Sequence, residues 1–209
     1  MTKTITRVYD DYATADETVR ELQGAGLGAS HIGLVASNAD GWHRPGASSV
    51  TPIHDKDRDG RDDRAEGAVT GGGVGAILGG AAGAAAGLGM IAIPGIGPVV
   101  AAGWLAALAT GAVGGGVAGG LIGALVESGT SKENAELYAE ALRRGGAIVT
   151  AKVSDDDVPQ YTAIMDHRAY NLIERENVWR GEGWRGYDPD APVYTADEAR
   201  RERESHHRL

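Results

Sequence analysis

The 209-residue chain contains no cysteine, which excludes disulfides and thiolate metal sites and leaves the redox compartment unmarked. Phenylalanine is also absent and aromatics make up only 5% of residues, so the polar parts must build their core from Val, Ile, Leu and Tyr. Positive charge is in short supply, with 20 Lys and Arg against 29 Asp and Glu and a net charge of −9. A phosphate backbone needs a basic surface, so no nucleic-acid partner is expected. The N-terminus is polar and acidic and lacks an apolar stretch, so a cleaved signal peptide is not expected either.

The most informative absence lies in the middle. Residues 67–126 run for 60 positions without one charged side chain. Glycine recurs there at every fourth position: Gly67, Gly71, Gly75, Gly79, Gly83 and Gly87. After Pro94 and Pro98 the row resumes as Gly103, Ala107, Gly111, Gly115, Gly119 and Gly123. In water each glycine costs a helix about 1 kcal/mol relative to alanine. In a bilayer the backbone must satisfy its own hydrogen bonds, and small residues four apart let two helices touch. The pattern predicts a helical hairpin packed through glycine zippers, with spans over residues 67–93 and 99–126 joined by the uncharged stretch 94–98. At about 1.5 Å per residue each span exceeds the ~30 Å hydrocarbon core. Arg58, Arg61 and Arg64 before the first span, and none on the connector, place both termini on the cytoplasmic side of a bacterial inner membrane. The segment is rich in Gly and Ala and poor in Leu, so helices buried against each other in a soluble oligomer remain the alternative. Self-association through Gly71, Gly75, Gly79, Gly111, Gly115 and Gly119, with a lipid bilayer as second partner, is the expectation.

On either side the sequence reads as α+β. Residues 4–9 are a short β-branched strand. Thr14 and Glu17 form a capping-box pair ahead of Val19 and Leu22. Residues 31–36 make a second strand, and 37–52 a loop. Ser131 opens a helix with Ala135, Tyr138, Ala139 and Leu142 on one stripe, which stops at Gly145 and Gly146. Residues 147–153 are a strand, 155–167 a helix with Pro159 in its first turn, and 170–174 a last strand. This order predicts a ferredoxin-like sandwich interrupted by the hairpin. Its parts are an N-terminal βαβ half over 1–54, an acidic loop over 55–66, the hairpin over 67–126, a C-terminal half over 127–176 and a peripheral polar tail over 177–209.

The acidic loop carries the one motif with chemistry. Asp55, Asp57 and Asp59 alternate, Gly60 follows, Arg61 offers a backbone carbonyl at the seventh position, and Asp63 and Glu66 occupy the ninth and twelfth. This is the D-x-D-x-D-G-x5-E spacing of a calcium loop, in which carboxylates converge on one cation and glycine permits the sharp turn. Asp62 replaces the usual apolar residue, and Pro52 disfavours an entering helix. A solvated collar of mixed charge is the competing reading. The six histidines form no metal-binding pair, no nucleophile elbow occurs, and the glycine spacings lack the acidic residue of a nucleotide site. No enzyme activity is expected.

Residues 141–150 (ALRRGGAIVT), the run 57–67 (DRDGRDDRAEG) and the glycine row together resemble the bacterial general-stress-protein group, small ferredoxin-like proteins with a glycine-rich hydrophobic insert. The resemblance implies a stress-response protein without assigned catalytic residues. The function expected is therefore a non-enzymatic, oligomeric, membrane-associated structural protein. A pore or ion-conducting assembly is the alternative.

Overall fold

The computed structural model describes residues 2–43, 89–93, 95–106 and 117–206. The protein is α+β, built on a five-stranded, fully antiparallel sheet in the order β1-β5-β2-β4-β3. Strand β1 (Thr2–Tyr9) leads through α1 (Tyr12–Gly24) to β2 (Ile32–Ser37). Strands β3 (Gly89–Ile93) and β4 (Gly97–Gly103) form a hairpin on the outer side of β2. Helices α2 (Val117–Glu127) and α3 (Lys132–Arg143) then return the chain to β5 (Ala147–Ser154), which inserts between β1 and β2. Helices α4 (Val158–Asp166), α5 (Leu172–Gly181) and α6 (Ala196–His206) follow.

Central β5 and β2 are apolar on both sides because both faces of the sheet are covered. Leu34, Ala36, Val149 and Ala151 point into a core closed by Val19 and Leu22 of α1 and by Tyr161 and Met165 of α4. The alternate residues Val35 and Ile148 enter a second core with Leu121 and Leu125 of α2 and Ala135, Ala139 and Leu142 of α3. Successive strand residues thus serve opposite cores, as the two-residue period requires.

Several expectations are corrected. The centre of the predicted helical hairpin is a β-hairpin: Ile91, Ile93, Val99 and Val100 are β-branched, and the sequence between the strands is Pro94-Gly95-Ile96. The Ile96 N–H bonds to the Ile93 carbonyl at 3.0 Å, and Gly95 sits at φ +74°, the left-handed value a type II turn demands. Both proposed spans lose their inner ends to the sheet. Among the described residues no helix is long and apolar enough to cross a membrane, so the transmembrane hairpin and the membrane assignment are withdrawn. The strand expected over 170–174 is instead the start of α5, capped by the Asn171 side chain on the amides of Ile173 and Glu174. Helix α1 starts earlier than Thr14, because Asp11 is its cap and accepts from the Thr14 amide at 2.9 Å. The tail is not peripheral. Trp179 and Ala199 are buried, and α6 docks on the body.

Candidate functional site

The most concentrated polar chemistry among the described residues lies where the C-terminal tail meets the end of α3. Helix α3 is amphipathic, and its last turn carries Glu140, Arg143 and Arg144, three and four residues apart and so on one face. All three are buried, Glu140 to 1% exposure. One carboxylate serves two guanidinium groups. Glu140 accepts from Arg143 Nε at 2.9 Å, from Arg143 Nη2 at 2.5 Å and from Arg144 Nε at 2.6 Å. Burial works against the Arg143 charge, but the hydrogen bonds and charge of Glu140 more than offset it, so its pKa is raised.

The tail completes the cluster. Arg143 donates to the Pro192 carbonyl at 3.0 Å and lies 4.7 Å over the Tyr194 ring. Arg144 lies 4.7 Å over Trp179 and reaches Glu202 of α6 at 3.2 Å. Glu202 also accepts from Trp179 Nε1 at 2.6 Å. Arg203 of α6 donates to the Gly145 carbonyl and pairs with Asp40, 3.2 and 2.7 Å away, while Arg175 of α5 pairs with Asp10 at 2.8 Å. Gly145, at φ +102°, brings the α3–β5 turn so close to α6 that an added Cβ would stand 2.8 Å from the Ala199 methyl. Burial raises the pKa of Tyr170 and of Tyr194, keeping both phenols protonated.

Four arginines face the carboxylates of Glu140, Glu202, Asp10 and Asp40, with the exposed Glu182 a further 3.8 Å from Arg144, so every guanidinium charge of the cluster is matched. Guanidinium groups give up no proton at accessible pH, and the rings stack rather than react. The arrangement fastens three elements together; its chemistry is that of a latch.

The calcium-spaced residues Asp55, Asp57, Asp59, Arg61, Asp63 and Glu66 lie outside the described residues, as do Gly71, Gly75, Gly79, Gly111 and Gly115. Among the described residues no group of His, Asp and Glu could hold a metal ion. Gly119 falls in α2, whose Leu121, Ala124 and Leu125 are buried while Gly123 and Val126 turn outward. The sequence reading passed over Glu140, Arg143, Arg144 and Glu202. Their signal was present in the i, i+3, i+4 spacing at a helix end and in the aromatics Trp179, Trp184, Tyr187 and Tyr194 of an otherwise polar tail. Compared with known proteins, the chain matches no family model, no curated protein and no solved structure.

Proposed function

We propose that this protein is a non-enzymatic structural protein that self-associates through its Gly/Ala-rich segment, with the α+β body as a rigid base. The observation that carries this reading is the outer face of α2. Gly123 is exposed and has nothing within 4 Å of a Cβ built on it, among the described residues. Ile122 is half-buried and Val126 is 41% exposed beside it, so this face offers an apolar surface with a gap where a second backbone can come close. Gly119, one turn earlier, continues the row toward Gly115 and Gly111. The buried charges support the same reading, because they are paired with one another and bind the tail, α3 and β1 into one unit.

Calcium is a proposed ligand of the acidic loop, on its spacing alone, and a bacterial stress response is the proposed setting, on the resemblance alone. The pore alternative depended on a spanning hairpin and is not carried forward. Sedimentation equilibrium tests the main reading. Gly119→Leu with Gly123→Leu should weaken association at least tenfold while leaving the far-UV spectrum intact. An unchanged association constant would remove the helix face from the interface.

A further inference from the structure

Helices α1 and α4 dock on the sheet through Val19, Leu22, Tyr161 and Met165. Helix α6 (ADEARRERESH) has only two apolar residues, Ala196 and Ala199, and buries one of them. Its other holds on the body are polar. Glu202 accepts from Arg144 at 3.2 Å and from Trp179 Nε1 at 2.6 Å, while Arg203 pairs with Asp40 at 2.7 Å and donates to the Gly145 carbonyl at 3.2 Å. The side chains of Glu202, Arg203 and Asp40 keep 14, 18 and 23% exposure, so water and ions reach them. The Glu140 pairs beneath, at 9% or less, are shut away from both.

Nothing else has to move for α6 to leave. It is the last described element, and residues 182–195 ahead of it form neither helix nor strand. Arg143 keeps its grip on the Pro192 carbonyl, so the hinge falls at 193–195. The start of α6 is closed by its own residues, because the Thr195 amide donates to Glu198 Oε2 at 2.8 Å and the Glu198 amide to Thr195 Oγ1 at 3.3 Å. The ground it vacates is polar and is served by water. Arg144 keeps Glu140 at 2.6 Å, and Trp179 keeps Arg144 over its ring at 4.7 Å and Trp184 beside it, centroids 6.0 Å apart. Off the body, an 11-residue helix is marginal in water, so release of α6 is also its unwinding.

We propose that α6 is a latch released by salt: as ionic strength rises it lets go of the α3–β5 turn and of Asp40 together, while the sheet and its cores stay folded. Ions screen the water-reached pairs that dock α6, and they leave the apolar contacts of the body untouched. Asp40 stands in the loop after β2, from which the chain continues to the acidic run 55–66. The latch therefore ties the tail to the root of that segment, and its release unties them.

Hydrogen exchange read by mass spectrometry tests this in the full chain, at one pH and one protein concentration. Sodium chloride is raised from ~0.1 to ~1 M, over which the screening length falls from ~10 to ~3 Å. The amides of α6 should exchange at least fivefold faster at the higher salt, while those of β5 (Ala147–Ser154) change less than twofold. Sucrose of equal osmolality screens nothing and should leave α6 protected. Glu202→Gln with Arg203→Met keeps side-chain length and removes both charges. In that variant α6 should already exchange at low salt as fast as the parent does at high salt, with less than twofold further response. Exchange of α6 that ignores salt, that rises only in step with β5, or whose salt response survives in the double variant overturns the latch. If the double variant loses β5 protection, Asp40→Asn takes its place, since it removes a partner charge outside α6. It should speed α6 exchange at low salt at least threefold, and an α6 that exchanges like the parent's there overturns the proposal.

Discussion

Removing the Glu140 carboxylate should be among the most damaging single changes to this protein outside its apolar cores. In Glu140→Ala two guanidinium groups that are over nine-tenths buried lose the anion that both contact at 2.5–2.9 Å. Breaking a buried ion pair by deleting one partner costs ~3–5 kcal/mol, because the remaining charge is left uncompensated. Here part of the loss is relieved: Arg144 keeps Glu202 at 3.2 Å, and Arg143 keeps the Pro192 carbonyl at 3.0 Å. The expected cost is therefore at the lower end, about 3 kcal/mol, which for a chain of this length is a Tm decrease of ~6–12 °C. Glu140→Gln keeps the shape and one acceptor and should fall between parent and Ala. Glu21→Ala is the control, since its Arg168 partner at 2.6 Å is at the surface and such pairs are worth ~1 kcal/mol or less. Urea unfolding followed by tryptophan fluorescence gives all three values, with Trp179 against Arg144 as a local reporter. If Glu140→Ala costs no more than Glu21→Ala, the carboxylate is not anchoring the arginines, and the account of how the tail is held is wrong.

Alkaline titration should destabilise the fold earlier than its ion pairs alone would. Burial raises the pKa of Tyr9 and Tyr170 and pushes Tyr12 up to about 12. The folded state thus holds phenol protons that the unfolded chain releases from ~pH 10, so stability is whole below pH 10 and declines as pH rises toward the folded values. Tm should decrease from pH 9.5 to 11, and Tyr9→Phe should flatten that decrease; a parent Tm independent of pH over this range would refute it. Calcium, if the spacing of Asp55, Asp57, Asp59, Asp63 and Glu66 reports a site, should bind at roughly 10⁻⁴–10⁻³ M, as single extracellular-type loops do. Asp55→Ala with Glu66→Gln should abolish the binding heat, and a parent that gives no heat at millimolar calcium reduces the loop to a charged collar.

The elements legible from sequence were those whose periodicity and capping agreed. Helix α3 shows its apolar stripe and its Ser131 cap, whose hydroxyl accepts from the Asn134 amide at 3.2 Å. Strands β1, β2 and β5 show β-branched runs between turn residues. Residues 170–174 deceived because a tyrosine and an isoleucine suggest a strand, whereas Asn171 and Glu174 supply a helix cap and a first-turn acid. The latch was hard to see because it is tertiary. Nothing in 195–204 shows that Ala199 will be buried until Gly145 lies across from it. A polar helix whose apolar residues are Ala196 and Ala199 looks solvated, yet its arginines and glutamates supply the contacts that dock it.

The glycine row misled for a related reason, in that one spacing served several purposes. Gly103 belongs to the four-residue series, but its φ of +70° ends β4 where the chain presses against the Ile32 carbonyl, a closeness no side chain permits. Gly95 and Gly97 are likewise positive-φ residues, placed at the hairpin turn against Pro189 and Val193. Gly123 alone among these keeps open space around it on a helix face. A period of four is produced equally by a zipper and by a hairpin whose turn and ends need glycine. The distinction lies in the intervening residues: Ile91, Ile93, Val99 and Val100 favour extended backbone. Around Gly119 and Gly123 the chain is helical although Val117, Ile122 and Val126 are β-branched, because Leu121, Ala124 and Leu125 recur three and four apart and bury one face. The described parts of the uncharged segment are thus divided by the period of their apolar residues, into a hairpin that extends the sheet and a helix whose buried stripe packs on the second core.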